Sequence, residues 1–130
     1  MFKLAPVVLH SGVTGLWKID CDALSDGDWE CLAYMAMEQM GWPQIERVIG
    51  VPTGGLKLAR GLERYTTSQG CLLLVDDVLT TGQSMRDMFR SENWSQYQEV
   101  KGLVVFARGL CPAWVTPIFQ IQPPPVAGDG

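Results

Sequence analysis

Cys71-Leu72-Leu73-Leu74-Val75-Asp76-Asp77-Val78-Leu79-Thr80-Thr81-Gly82-Gln83-Ser84-Met85 is the stretch that decides the fold of this 130-residue chain. The continuous apolar run at 72–75 suits a strand buried on both faces, and Met85, Met88 and Phe89 then recur at helical spacing. A hydroxyl- and glycine-rich turn therefore joins a strand's carboxyl end to a helix's amino end. Unsatisfied backbone N–H groups and the positive end of the helix dipole favour a phosphate there. Thr80, Thr81 and Ser84 add hydroxyl donors, and Gly82 lets the backbone approach a ligand closely. Two carboxylates beside a phosphate would repel it unless they face ribose hydroxyls or an intervening magnesium ion. The combination predicts a ribose 5-phosphate pocket, whereas a simple helix cap would explain neither the paired acids nor the length of the run.

Upstream, Arg47-Val48-Ile49-Gly50-Val51 reads as a strand, Pro52-Thr53-Gly54-Gly55 as a turn, and Leu56, Leu58, Ala59 and Leu62 as the apolar face of a helix. This is a second strand, glycine turn and helix unit. Before it lies the clearest helix, between Ser25 and Gly41. Trp29, Leu32, Ala33, Ala36, Met37 and Met40 share one face, Ser25 or Asp26 can cap its start, and Gly41 followed by Pro43 ends it. The methionine stripe reads as core. Downstream, the helix over 82–92 leads to a strand, Gly102-Leu103-Val104-Val105-Phe106-Ala107, and 115–121 reads as a last edge strand. Near the N-terminus, Pro6-Val7-Val8-Leu9 and Leu16-Trp17-Lys18-Ile19-Asp20 read as a hairpin joined through His10-Ser11-Gly12-Val13-Thr14-Gly15.

Strands alternating with helices imply right-handed crossovers, so the predicted class is α/β: an open, mainly parallel sheet with helices on both faces and an N-terminal β-hairpin. Residues 1–122 form one expected domain, the hairpin within 1–24 included, and 123–130 a proline- and glycine-rich tail. Ligands of such a sheet bind at the carboxyl ends of its strands. Both glycine turns lie there, so Thr53-Gly54-Gly55 is placed to cradle a pyrophosphate while 80–84 cradles the 5-phosphate, with ribose over Asp76 and Asp77.

A formal charge of −4, from 10 basic and 14 acidic residues, offers no basic surface for nucleic acid or an anionic membrane. Phosphate binding must come from local geometry. Cys21, Cys31, Cys71 and Cys111 show no CxxC spacing and His10 is the sole histidine, which argues against structural zinc; the four read as buried, reduced thiols. Neither a signal sequence nor a membrane span is evident, so a cytoplasmic location is expected.

Leu73-Leu74-Val75-Asp76-Asp77-Val78-Leu79-Thr80-Thr81-Gly82-Gln83-Ser84 resembles, at every position, the phosphoribosyl pyrophosphate (PRPP) motif of the type I phosphoribosyltransferases. Three further segments are similar, in order, to the orotate-specific branch of that family. They are Val8-Leu9-His10-Ser11-Gly12 running on to Asp20 (the N-terminal hairpin), Gly50-Val51-Pro52-Thr53-Gly54-Gly55-Leu56-Lys57-Leu58-Ala59 (the pyrophosphate loop) and Phe106-Ala107-Arg108-Gly109 (a base-side Arg-Gly). The resemblance implies transfer of a phosphoribosyl group from PRPP to a pyrimidine-type base, with magnesium as cofactor and a homodimer as the assembly. Asp76 and Asp77 would be the catalytic acids, holding ribose hydroxyls directly or through magnesium and water. Val78, Leu79, Thr80, Thr81, Gly82, Gln83 and Ser84 would form the phosphate site, Thr53, Gly54, Gly55 and Lys57 the pyrophosphate site, and His10, Lys18 and Arg108 the base side.

The chain departs from the family twice. His10 stands where the family has a base-side lysine, and Lys18-Ile19 where it has an aromatic pair, which alters the base pocket. Only residues 60–70 separate the second helix from the PRPP strand, where relatives carry an extra strand pair and a mobile lysine-rich hood; Arg60 and Arg64 read there as solvated surface groups. A chain without a hood is expected to bind PRPP more readily than it turns it over, and the rival function is a non-catalytic sensor of PRPP or a nucleoside monophosphate.

Overall fold

Ser25 starts the first helix, α1 (Asp26–Met40), through a reciprocal capping box: its hydroxyl accepts from the Asp28 N–H at 3.1 Å while the Asp28 carboxylate accepts from the Ser25 N–H at 3.0 Å. Gly41 ends it at φ 78°, in the left-handed region that glycine enters at little cost. Trp29, Leu32, Ala33, Ala36 and Met37 form the buried face, so the stripe is core as its spacing predicts. These features come from a computed structural model that describes residues 24–91 and 93–120; the expected hairpin and the proline-rich tail lie outside the described residues.

Four strands follow, β1 (Ile45–Gly50), β2 (Cys71–Leu79), β3 (Val100–Ala107) and β4 (Val115–Gln120), in the order β1-β2-β3-β4 with every pairing parallel. The fold is α/β with helices on both faces. α1 and α2 (Leu56–Leu62) cover one face, packing Leu58 and Leu62 against Leu73, Val75, Leu103 and Val105. α3 (Gln83–Ser91) covers the other, packing Met85 against Leu72, Leu74 and Val104. Alternate residues of β2 thus enter different cores, which is why residues 72–75 are apolar without interruption. Each leucine buried this way contributes about 1.5–3 kcal/mol relative to exposure.

β1, β2 and β3 lie in chain order although their connecting helices lie on opposite faces, so two direct crossovers could not share one hand. The chain resolves this after α2. Thr66 forms a parallel bridge with Ile45, and the Thr67 N–H donates to the Ile45 carbonyl at 2.7 Å, on the edge of β1 away from β2. The segment then passes beneath β1, where the Cys71 N–H donates to the Gln44 carbonyl at 2.9 Å, and enters β2. Residues 66–67 consequently occupy the amino end of β1, the opposite end of the sheet from both glycine turns.

Two local readings change. β2 runs on through both acids to Leu79, because Val78 and Leu79 continue the ladder opposite Phe106 and Ala107. Cys71 is buried, but Cys31 and Cys111 are only half-buried, and Cys21 lies outside the described residues. Arg64 is a surface group as read, paired with Glu30 at 3.2 Å. Among the described residues no helix is long and apolar enough to cross a membrane.

Candidate active site

Asp76 and Asp77 sit inside a strand, so the two-residue period turns their carboxylates to opposite sides of β2. Asp76 is 8% exposed and lines a small cavity together with the 80–84 turn; Asp77, half-buried, lines a separate cleft beside the 52–55 turn. The Asp77 N–H donates to the Asp76 carboxylate at 2.8 Å, and the Val78 N–H to the Asp77 carboxylate at 2.8 Å. Burial pushes the Asp76 carboxyl up to about 7, and the adjacent Asp77 carboxyl adds to the rise.

The 80–84 turn opens α3. Gly82 takes φ 80°, and the first helical hydrogen bond runs from the Arg86 N–H to the Gly82 carbonyl at 3.0 Å, which leaves the Ser84 and Met85 amides at the helix start to face a ligand. Thr80, Thr81 and Ser84 are exposed around them. The Thr81 hydroxyl accepts from the Gln83 N–H at 3.3 Å, while the Gln83 side chain donates to Asp87 at 2.7 Å and so turns along the helix. Val78 packs against the α1 and α2 core and Leu79 is buried in the α3 core, and both line the cavity. Arg86 joins this group unforeseen: its guanidinium donates to the Thr81 carbonyl at 2.5 Å and lies close beside Gly82. A cation in the first turn of a helix, where acids are favoured, is the sequence signal that marks it.

The 52–55 turn is locked to β2 by glycine. A Cβ on Gly54 would overlap the Asp77 carboxylate, and one on Gly55 would overlap the Val75 carbonyl oxygen. Backbone bonds hold the approach, with the Val51 N–H on the Val75 carbonyl at 2.7 Å and the Gly55 N–H on the Val51 carbonyl at 2.8 Å. The Pro52–Thr53 peptide is cis. Thr53, Gly54, Lys57, Arg60, Trp29 and Asp77 surround a cleft of about 340 Å3. The loop and the acid pair, read from separate segments, thus meet at a single strand end. Arg108 follows β3 directly, its N–H donating to the Leu79 carbonyl at 2.9 Å, which places it next to the phosphate turn. His10 and Lys18 lie outside the described residues.

No group of three or more His, Cys, Asp or Glu that could hold a metal ion occurs among the described residues. Magnesium does not require one, because it is held by one or two carboxylates together with phosphate oxygens and water. Asp77, open to the cleft beside the 52–55 turn, fits that donor set, while Asp76 opens to the neighbouring cavity. The Asp77 carboxylate would bind the ion only along with a phosphorylated ligand.

Among solved structures, the chain is similar to the orotate phosphoribosyltransferase from Aeropyrum pernix, with a TM-score of 0.63 and 23% identity over 80% of this chain and 78% of that one. It is also similar to the purine phosphoribosyltransferase from Pyrococcus horikoshii, with a TM-score of 0.53 and 16% identity over 82% of this chain and 97% of that one. No protein-family model and no curated protein matches the sequence.

Proposed function

We propose that this chain, which has the α/β fold of the type I phosphoribosyltransferases, moves a 5-phosphoribosyl group from PRPP to a pyrimidine-type base and releases pyrophosphate. The observation that carries the reading is the seat of Gly54 against Asp77. It sets a candidate pyrophosphate loop beside Asp77, which two residues separate from a candidate 5-phosphate turn, an arrangement that suits a donor with phosphates at both ends of one ribose.

In this reading the amides and hydroxyls of Thr80, Thr81, Gly82 and Ser84 bind the 5-phosphate, and Arg86 fixes the turn through the Thr81 carbonyl. Thr53, Gly54, Gly55 and Lys57 receive the pyrophosphate, while Asp76 and Asp77 hold the ribose hydroxyls. Magnesium, when bound with the donor, would neutralise pyrophosphate charge, with Asp77 holding it on the cleft side of β2 and Asp76 acting through water. As the bond between C1 and the pyrophosphate oxygen breaks, its electron pair leaves on that oxygen. A ring nitrogen of the base forms the new bond to C1 and gives up its proton to solvent. Arg108 orients the base, with His10 and Lys18 of the N-terminal segment on the same side. The ordered sequence matches over residues 8–109 support a pyrimidine-type base, in a pocket that His10 and Lys18-Ile19 alter. A homodimer in the cytoplasm completes the reading.

One observation favours the second reading, a non-catalytic sensor of PRPP or a nucleoside monophosphate. The connection between α2 and β2 is folded against the amino end of β1 instead of over the cleft. The test is pyrophosphate release from PRPP and magnesium, with orotate and with hypoxanthine as acceptors. Release that depends on orotate supports transfer to a pyrimidine. Dependence on hypoxanthine moves the acceptor to purines, and tight binding without release supports the sensor.

A further inference from the structure

Arg60 is exposed on α2, where sequence alone makes it a solvated group, yet it borders two hollows that meet. One is the cleft of about 340 Å3 beside Thr53, Gly54 and Asp77; the other, about 260 Å3, continues between α1 and α2 as far as Arg64. Trp29, Lys57 and Arg60 belong to both. Lys57 and Arg60 are one helical turn apart and share a face. Arg64 is neutralised by Glu30 at 3.2 Å, but neither Lys57 nor Arg60 has an ion pair or side-chain hydrogen bond among the described residues. Trp29, 4% exposed, forms the wall between the helices, and its indole N–H is buried with no hydrogen-bond partner among the described residues. The cleft thus has two uncommitted cations on one side and Asp77 on the other.

We infer that Arg60, with Lys57, clamps the pyrophosphate group of the donor from the α2 side and takes up the charge that develops on the leaving oxygen. This rests on the phosphoribosyl-transfer reading and adds a residue to its site. Breaking the bond to C1 leaves the electron pair, and one further negative charge, on the pyrophosphate; a planar guanidinium can accept it through two parallel N–H bonds, and the Lys57 ammonium supplies a second positive charge beside it. Asp77 faces the same space with the opposite sign, which discriminates against a bare polyanion and in favour of one carrying a divalent cation. Positive charge fixed on a helix supplies leaving-group stabilisation without a moving segment.

The test uses the intact chain and two simple probes, inorganic pyrophosphate with magnesium and ribose 5-phosphate, titrated calorimetrically against Arg60→Gln, Lys57→Gln, Arg60→Lys and Arg64→Gln. Circular dichroism confirms that each variant is folded. The clamp predicts a loss of pyrophosphate affinity of about tenfold or more in Arg60→Gln and Lys57→Gln, a smaller loss in Arg60→Lys, and unchanged ribose 5-phosphate affinity throughout. Arg64→Gln, whose charge is already paired, should bind pyrophosphate normally. If wild type binds both probes and Arg60→Gln binds pyrophosphate equally well, or if Arg64→Gln weakens it as much, the clamp is wrong while the transfer reading stands. A wild-type protein that binds neither probe overturns both.

Discussion

Replacing Asp76 by asparagine should make the protein more stable at alkaline pH and worse at binding its donor. The asparagine side chain would keep an oxygen to accept the Asp77 N–H and nearly the same volume, so the change removes a charge and little else. The unfolded chain ionises Asp76 near 3.8 and the folded chain near 7, so between those values the folded state holds the extra proton. This group's contribution to stability is complete below pH 3.8, declines as the pH rises and is lost above 7. Ionising it in the fold at pH 8 therefore costs up to ~4 kcal/mol, which access of solvent to the strand end reduces to ~2 kcal/mol. Thermal unfolding followed by circular dichroism should show the variant melting roughly 8 °C above wild type at pH 8, and within a degree or so of it near pH 4. Titration with PRPP and magnesium at pH 8 should show the opposite ranking. A variant less stable than wild type at pH 8, or a gain that is the same at both pH values, would refute the assignment of a buried, strained carboxylate.

The glycine lock predicts that Gly54→Ala pushes Asp77 aside and that Gly55→Ala, which meets backbone at Val75, destabilises more; urea unfolding should report losses of roughly 1–3 kcal/mol, larger for Gly55. Thr81→Val removes the hydroxyl that accepts the Gln83 N–H, and Gly82→Ala strains a left-handed residue by about 1–2 kcal/mol. Each should weaken ribose 5-phosphate binding about tenfold in calorimetry, whatever base is attached. Adding a chelator to the ligand-free protein should leave its melting temperature unchanged, because an ion held by one or two carboxylates also needs the ligand's phosphates, yet it should abolish tight PRPP binding.

How much was legible depends on how local each signal was. Ser25, Asp28 and Gly41 act within one turn of α1, so both ends of that helix can be read from spacing. Both strand, glycine turn and helix units are equally local, and with them the parallel α/β class. The extension of β2 to Leu79 is not, because two acids interrupt the apolar run and only pairing with Phe106 and Ala107 carries the strand through them. The same extension turns Asp76 and Asp77 to opposite sides, which no reading of the turn alone anticipates. Arg60 and Arg64 have the same sequence signature, and one borders the cleft while the other meets Glu30; helix-on-helix packing decides between them. Gly54 and Gly55 are visible as a turn, but their need to be glycine comes from β2, more than twenty positions away in sequence for Gly54 and Asp77.

If the chain transfers phosphoribosyl groups as proposed, one donor bridges the 80–84 turn and the 52–55 turn across the acid pair. Calorimetric titration with PRPP in the presence of magnesium tests it most directly, in wild type and in the Asp76→Asn, Asp77→Asn double variant. One saturable site per chain is predicted, tighter than for ribose 5-phosphate or pyrophosphate alone, dependent on magnesium and lost in the double variant while its fold persists. PRPP binding no tighter than either fragment, or undiminished in the double variant, would contradict the account.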